Sequence, residues 1–349
     1  MKFPMIDWVS FVVPCNHETP IYGDSIMRVS PDGDLVWQTL TSKTIEGSYS
    51  DNITLKTHGF QDGKPTELYV SGNPVKFFQG HNVFGHGCPH DLAVALMHRL
   101  CAMLPELAPT DADIRAWRYG AFRFTRVDVT SMFSLGSNAA VIDWLRSAEY
   151  SSRTRHGRPA MKGGTLYWGK NSRRWSLKAY AKAQELAAHP PSRNLPSDLE
   201  QWTNDKLRVE LVIRQMQLKQ HGLDLAANWS TGDTTAEDLY LEYLGKLNMV
   251  DNVRIDHDKL MAELPARLAG TYVKWRDGYD LLSLMTCRTF YRHRKELLEY
   301  GVDITNKAPP QDKSNVVPLV RVVEAVPADP PEWVAVSYTH LTLPTIYSV

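Results

Sequence analysis

Leu177-Lys178-Ala179-Tyr180-Ala181-Lys182-Ala183-Gln184-Glu185-Leu186 lies between two near-copies of one short pattern. Upstream is Thr125-Arg126-Val127-Asp128-Val129-Thr130, and downstream is Leu207-Arg208-Val209-Glu210-Leu211-Val212-Ile213-Arg214. Each copy sets an arginine two residues before a carboxylate inside a β-prone run. Side chains alternate along a strand, so Arg126, Asp128 and Thr130 share one face. Arg208, Glu210 and Arg214 do the same, as do Lys178, Tyr180 and Lys182. If the three strands are neighbours, one sheet face carries two carboxylates, a tyrosine and several cations. Those groups suffice for a metal-assisted attack on a phosphodiester.

The remainder of the chain sets bounds on that reading. Its 349 residues allow two domains, or one with a sizeable appendage. Lys+Arg and Asp+Glu both total 39, so any nucleic acid must be held by local patches rather than by net charge. Cys15, Cys88, Cys101 and Cys287 lack metal-type pairing, which fits a reduced cytoplasm. No apolar stretch approaches the roughly 18 residues of a membrane span, and the N-terminus lacks a signal-peptide layout. At the other end, Val336-Ser337-Tyr338-Thr339-His340-Leu341-Thr342-Leu343-Pro344-Thr345 reads as a translated transposase-tagmentation sequencing adapter. Residues 336–349 are therefore set aside from functional reasoning, and the natural chain is expected to continue differently beyond Ala335.

Residues 5–80 alternate apolar and polar positions, with turn signals at Pro31-Asp32-Gly33-Asp34 and Gln61-Asp62-Gly63-Lys64, and predict a run of strands. Helical periodicity spans Asp91 to Leu107 and Ala139 to Glu149. Arg118–Thr130 and Lys206–Arg214 read as strands. Thr165–Trp168 and Trp175–Tyr180 read as a hairpin across Gly169-Lys170-Asn171-Ser172. Residues 183–204 begin helical and become loop-like at Pro190-Pro191. From Thr235 to Leu298 the pattern is mostly helical, so the architecture is expected to change near residue 230. Lys307–Lys313 reads as a connector, and Val316–Val323 as a short strand or extended arm.

Several strings resemble the filamentous-bacteriophage replication initiators, the gene II proteins of the phage/plasmid replication protein family. Met5-Ile6-Asp7 is similar to the family's start, and Gln79-Gly80-His81-Asn82-Val83-Phe84-Gly85 to a characteristic family string. Arg126-Val127-Asp128 and Leu207-Arg208-Val209-Glu210 resemble two of its strands. Ala179-Tyr180-x-Lys182-x-x-Glu185-Leu186 resembles its nucleophile segment, and Asn315-Val316-Val317-Pro318-Leu319-Val320-Arg321 its C-terminal signature. The resemblance covers roughly residues 5–333. It implies an α/β (α+β) fold: an antiparallel-sheet catalytic domain over residues 5–230, a helical DNA-binding region over 231–306, and a connector with a strand or arm over 307–335. It also implies nicking of double-stranded phage DNA at the plus-strand origin, followed by cutting and circularisation of the displaced strand. The expected setting is the cytoplasm of a bacterial host, with the host replicative helicase as a further partner.

The chemistry expected of this site starts from a weakness. A tyrosine hydroxyl with a pKa near 10 is a poor nucleophile at neutral pH, and a divalent ion at the scissile phosphate can compensate. Many rolling-circle initiators hold their metal with a His-hydrophobic-His pair, but this chain has no His-x-His. If the chain binds a metal, Mg²⁺ or Mn²⁺, carboxylates must hold it, and Asp128 and Glu210 are the obvious pair. Glu185 is a third ligand, a helix-starting charge or a salt-bridge partner. Tyr180 is the expected nucleophile, joined to DNA through a 5′-phosphotyrosine, and Lys182 is placed to steady the phenolate or the phosphate oxygens.

DNA contacts are expected from Arg126, Lys178 and Arg208 on the same face, and from Arg173 and Arg174 beside the basic loop holding Arg153, Arg155 and Arg158. A helix face with Arg288, Arg292, Arg294 and Lys295 is expected to help recognise the origin. Gln79, His81 and Asn82 either contact DNA or hold their own loop. The spacing of His86, Cys88 and His90 fits no common zinc pattern. The competing function is a non-enzymatic phage or plasmid DNA-binding regulator that keeps the fold. A tyrosine recombinase is disfavoured, because its active site needs an Arg/His constellation on a helical fold.

Overall fold

The structure is a computed structural model. It describes residues 4–49, 51–190, 197–229, 234–249, 261, 264–300, 302, 304–305 and 328. The readings of residues 307–327 and 329–349, including the C-terminal arm and the adapter-like tail, lie outside the described residues.

A nine-stranded antiparallel sheet forms the centre. Its strands are β1 (Met5–Pro14), β4 (Lys43–Glu46), β5 (Asn52–Gln61), β6 (Lys64–Gly72), β7 (Arg123–Ser134), β9 (Ala160–Lys162), β10 (Thr165–Trp168), β11 (Trp175–Ala181) and β12 (Lys206–Arg214), in the order β4-β5-β6-β1-β7-β12-β11-β10-β9. Between β1 and β4, a separate hairpin of β2 (Ser25–Val29) and β3 (Leu35–Leu40) turns at the Pro-Asp-Gly-Asp signal. The β5–β6 turn at Asp62-Gly63 has positive φ at both residues, the conformation Asp-Gly supplies in a two-residue hairpin loop. Strand β8 (Ser152–Arg153) pairs with a short strand at Asn248–Met249.

The helices begin with α1 (Pro74–Gln79), which starts on an Asn73 cap with proline in its first turn. Helix α2 (Pro89–Met103) matches its sequence periodicity. Helix α3 (Asp111–Arg118) starts on a Thr110/Asp113 capping box. The sequence reading misses α1 and α3, and it places Arg118 at the start of a strand. Arg118 is instead the last residue of α3, and β7 begins only at Arg123. Helix α4 (Asn138–Ser151) follows β7. Helices α5 (Lys182–Ala188) and α6 (Ser197–Thr203) precede β12, and α7 (Gln215–His221) and α8 (Thr235–Leu244) follow it.

Alternation explains why the sheet has two unlike faces. Along β12, Leu207, Val209, Leu211 and Ile213 point into an apolar core, together with Val127, Val129 and Phe133 of β7 and Trp175, Leu177 and Ala179 of β11. Helices α4 and α8 bury Trp144, Leu145, Tyr240 and Tyr243 in that core. The Trp175 and Tyr243 rings meet edge to face at 4.9 Å. Helix α8, read from sequence as part of the helical region, thus packs on the sheet. A second core is built by helices Ala266–Arg276 and Cys287–Glu299 around Leu268, Tyr272, Phe290 and Leu297.

Candidate active site

The register brings the three quoted segments together. Strand β12 lies between β7 and β11, with Glu210 opposite Thr130 on one side and Lys178 on the other, and Arg208 opposite Tyr180. Strand β11 ends at Ala181, so Lys182 is not a strand residue as alternation predicts; it opens helix α5. Its side chain is still fully buried in the site, where Nζ donates to Asn82 Oδ1 at 2.8 Å and pairs with Glu185 at 2.5 Å.

Tyr180 is 7% exposed and its hydroxyl donates a short hydrogen bond to Glu210 Oε1. Burial, opposed by the Arg208 charge and reinforced by that of Glu210, holds the phenol well above its ordinary pKa. At rest it is therefore a protonated phenol aimed at a carboxylate. Glu210 is completely buried and also meets Arg208 Nε at 3.2 Å and the Lys178 ammonium at Oε2. Burial works against the charge of Lys178, but Glu210, Asp7 and Asp128 outweigh it and raise the lysine's pKa.

Arg208 is the centre of the network. It donates to Asp7 Oδ1 at 2.6 Å, to Asn82 O at 2.5 Å and to Thr130 Oγ1 at 3.1 Å. A direct DNA contact by Arg208 is at odds with this placement, because the guanidinium is wholly buried and its donors are spent inside the protein. Asp7 is a site residue that the sequence reading misses. Its Oδ1 also accepts from Asn73 at 3.0 Å and Asn82 at 2.6 Å. Burial raises its pKa, but Arg208, Lys178, the Asn82 hydrogen bond and Lys182 together hold it at about 2. The available signal is a lone carboxylate in the β-prone run Met5–Pro14, the same oddity that marks Asp128 and Glu210.

Asp128 takes both oxygens to Arg126, at 2.7 and 2.6 Å, and the guanidinium lies over the Trp8 ring. Burial nonetheless pushes the Asp128 pKa up to about 6, against the pull of Arg126. Lys182 is brought down to about 8, first by burial and then by the Arg208 charge.

The loop Gln79–Phe84 covers this face. Gln79 Nε2 donates to His81 O at 3.0 Å and Phe84 O at 2.7 Å, the loop-holding alternative, while Asn82 bridges Asp7, Lys182 and Arg208. Val83, Phe84, Met132, Leu186 and Leu199 form an apolar border beside it, and Ala328 N donates to Met132 O. The partly exposed groups, Lys178, Arg126 and Glu185, mark the open side.

A hard divalent ion suits these oxygens. Glu210 Oε2 is buried and accepts no well-directed hydrogen bond, although Lys178 Nζ sits beside it. Asp128 would have to leave Arg126, and Glu185 would have to leave Lys182, to join it. Among the described residues, Cys88, His90 and Asp91 are the set of three metal-ligating side chains that converges within 4.8 Å; Asp128, Glu185 and Glu210 do not converge that closely. Arg173 and Arg174 sit at the far end of β11 from Tyr180, and Arg288, Arg292, Arg294 and Lys295 belong to the second core's helix.

Comparison with known proteins shows the family of the chain. Residues 5–232 match the N-terminal family of the phage replication-associated (gene II) protein, and residues 258–338 match its C-terminal family. The chain is 39% identical over 333 residues to the replication-associated protein of Enterobacteria phage I2-2, covering 94% of this chain and 95% of that one. It is 27% identical over 362 residues to the protein of the same name from Enterobacteria phage M13, covering 86% and 85%. A solved rolling-circle replication initiator protein from Geobacillus stearothermophilus aligns with a TM-score of 0.34 and 11% identity, over 72% of this chain and 88% of that one. A likeness that loose carries no argument.

Proposed function

The chain belongs to the gene II family of phage replication-associated proteins, and on that premise we propose that it starts rolling-circle replication by nicking and rejoining one strand of a phage origin. The observation that carries this reading is the Tyr180 hydroxyl hydrogen-bonded to a buried carboxylate among Lys178, Lys182 and Arg208. Tyr180 Oη attacks the scissile phosphorus while its proton passes to Glu210. The P–O3′ bond breaks and the 3′-oxygen leaves as a hydroxyl. Lys182, with a pKa of about 8, is a proton donor suited to neutral pH. The 5′-phosphotyrosine keeps most of the phosphodiester's bond energy, so attack by a 3′-hydroxyl reverses the step and reseals DNA without ATP.

Lys178 and Arg126, at the open side, meet the equatorial phosphate oxygens. Arg208 acts from behind by lowering the cost of phenolate. Mg²⁺ or Mn²⁺ would be held by Glu210 with Asp128 and Glu185, and would polarise the scissile phosphate. The substrates are double-stranded origin DNA and the displaced single strand, in the cytoplasm of a bacterial host whose replicative helicase opens the duplex.

The test is incubation with supercoiled cognate-origin DNA and Mg²⁺, then denaturation and a search for covalent protein–DNA adduct. Wild type should form it, and Tyr180→Phe should bind origin DNA without forming it. Adduct in the variant would move the nucleophile elsewhere. Binding without adduct in wild type would leave the non-enzymatic regulator.

A further inference from the structure

Two hollows lie at the far end of β11 from Tyr180. One, of about 390 Å³, is lined by Arg153, Thr154, Arg155, Trp175 and Lys246. The other, of about 570 Å³, is lined by Arg155, His156, Ser172, Arg173, Arg174 and Met216. Arg155 lines both, so the two adjoin at its side chain and make a basic groove in two parts. No aspartate or glutamate lines either part.

The charges here differ from those of the active site. Arg126, Lys178 and Arg208 are each paired with a carboxylate. Arg153, Arg155 and Arg173 are exposed and form no salt bridge among the described residues. The Arg155 guanidinium lies over the Trp175 ring, 5.5 Å from its centre, and this contact holds it in the groove wall. Trp175 itself is 1% exposed, so its ring is spent on core packing and offers no surface to a base. The groove therefore presents cations without a stacking platform.

Its position excludes the scissile phosphate. Trp175 and Tyr180 are five residues apart on one strand, about 17 Å at 3.4 Å per residue, and an odd offset puts their side chains on opposite faces. Whatever the groove holds is a second stretch of polyanion.

We propose that this groove binds the sugar–phosphate backbone of a single DNA strand, away from the scissile phosphate and without regard to sequence. The inference rests on the reading of the chain as a DNA-nicking initiator. With no stacking platform for bases, the backbone is the part such a groove can hold, and unpaired arginines exchange condensed counterions for its phosphates. Such a site keeps hold of a strand after the origin has been cut.

The test uses the full chain and a fluorescein-labelled oligothymidylate of thirty residues, which lacks origin sequence. Anisotropy gives Kd across a salt series. Arg153→Gln/Arg173→Gln leaves Arg155 on Trp175, and a thermal melt equal to wild type shows that the fold is kept. Each phosphate contact contributes about 0.7 to the slope of log K against log salt for a single strand, so the double variant should lose about 1.4 from that slope. Its affinity at low salt should fall about tenfold or more. Arg173→Glu alone, a change at an exposed position, should weaken binding in the same direction. Unchanged slope and affinity in both variants would overturn the proposal, whereas loss of adduct in wild type would overturn the nicking reading and leave the binding result standing.

Discussion

Asp7→Asn removes one charge from the active-site network and almost no volume. The carboxylate is buried and accepts at Oδ1 from Arg208, Asn73 and Asn82. Breaking a buried ion pair by removing one partner costs about 3–5 kcal/mol. Arg208 keeps Glu210 at 3.2 Å and its bonds to Thr130 and Asn82, which argues for the low end. A second route gives a similar size. The carboxyl sits at about 2 in the fold against an ordinary 3.8, a difference corresponding to about 2.5 kcal/mol. The folded pKa is the lower one, so this stability is present above 3.8 and is lost as pH falls toward 2. Urea unfolding followed by tryptophan fluorescence should therefore place the variant about 2.5–3 kcal/mol below wild type at pH 7, with about half that gap at pH 3. A gap under about 1 kcal/mol at pH 7, or one that does not shrink in acid, would refute the view that Asp7 is an ionised anchor for Arg208.

Three further outcomes are expected. Glu210→Gln removes the acceptor of the Tyr180 proton and should cut adduct formation by about 100-fold or more, and EDTA should suppress the wild type; full activity in either case contradicts the assigned role. Burial, with the charges of Lys182 and Lys76, holds His81 down at about 4 against 6.5. Protons then bind the unfolded chain first, so wild type should lose up to about 3 kcal/mol between pH 6.5 and 4, and His81→Gln should flatten that slope in an acid unfolding series. Gly120 and Gly222 both have positive φ, but a Cβ at Gly120 would stand 2.3 Å from Ala227 N while nothing lies within 4 Å at Gly222. Gly222→Ala should cost about 1 kcal/mol and Gly120→Ala clearly more; equal melting temperatures would count against the close approach.

Much of the candidate site is legible from alternation alone. Arg126, Asp128, Lys178, Tyr180, Arg208 and Glu210 share a surface because residues two apart on a strand must, and because β7, β12 and β11 are neighbours. Asp7 is not legible as part of it. Its place depends on β1 pairing with β7 through a register shift between Ile6 and Trp8, and no local pattern encodes a distant register. Alternation assigns Lys182 to the right face for the wrong reason, since periodicity does not show where a strand gives way to a helix. The burial of Arg208 is equally hidden. An arginine in an alternating strand reads the same whether the polar face meets water or a covering loop, and here the loop at Asn82 closes over it.

The Asp7–Arg208 ion pair joins positions 201 apart in the chain. Contacts of such separation form late, because the intervening loop must be closed before they repay the cost. During synthesis, the first strand leaves the ribosome long before the strand that completes its partner. A nascent chain stopped between β11 and β12 holds the tyrosine but neither Glu210 nor Arg208. On the proposed mechanism, an unfinished copy lacks the proton acceptor for its tyrosine, and the capacity to cut arises only in molecules whose central sheet has closed.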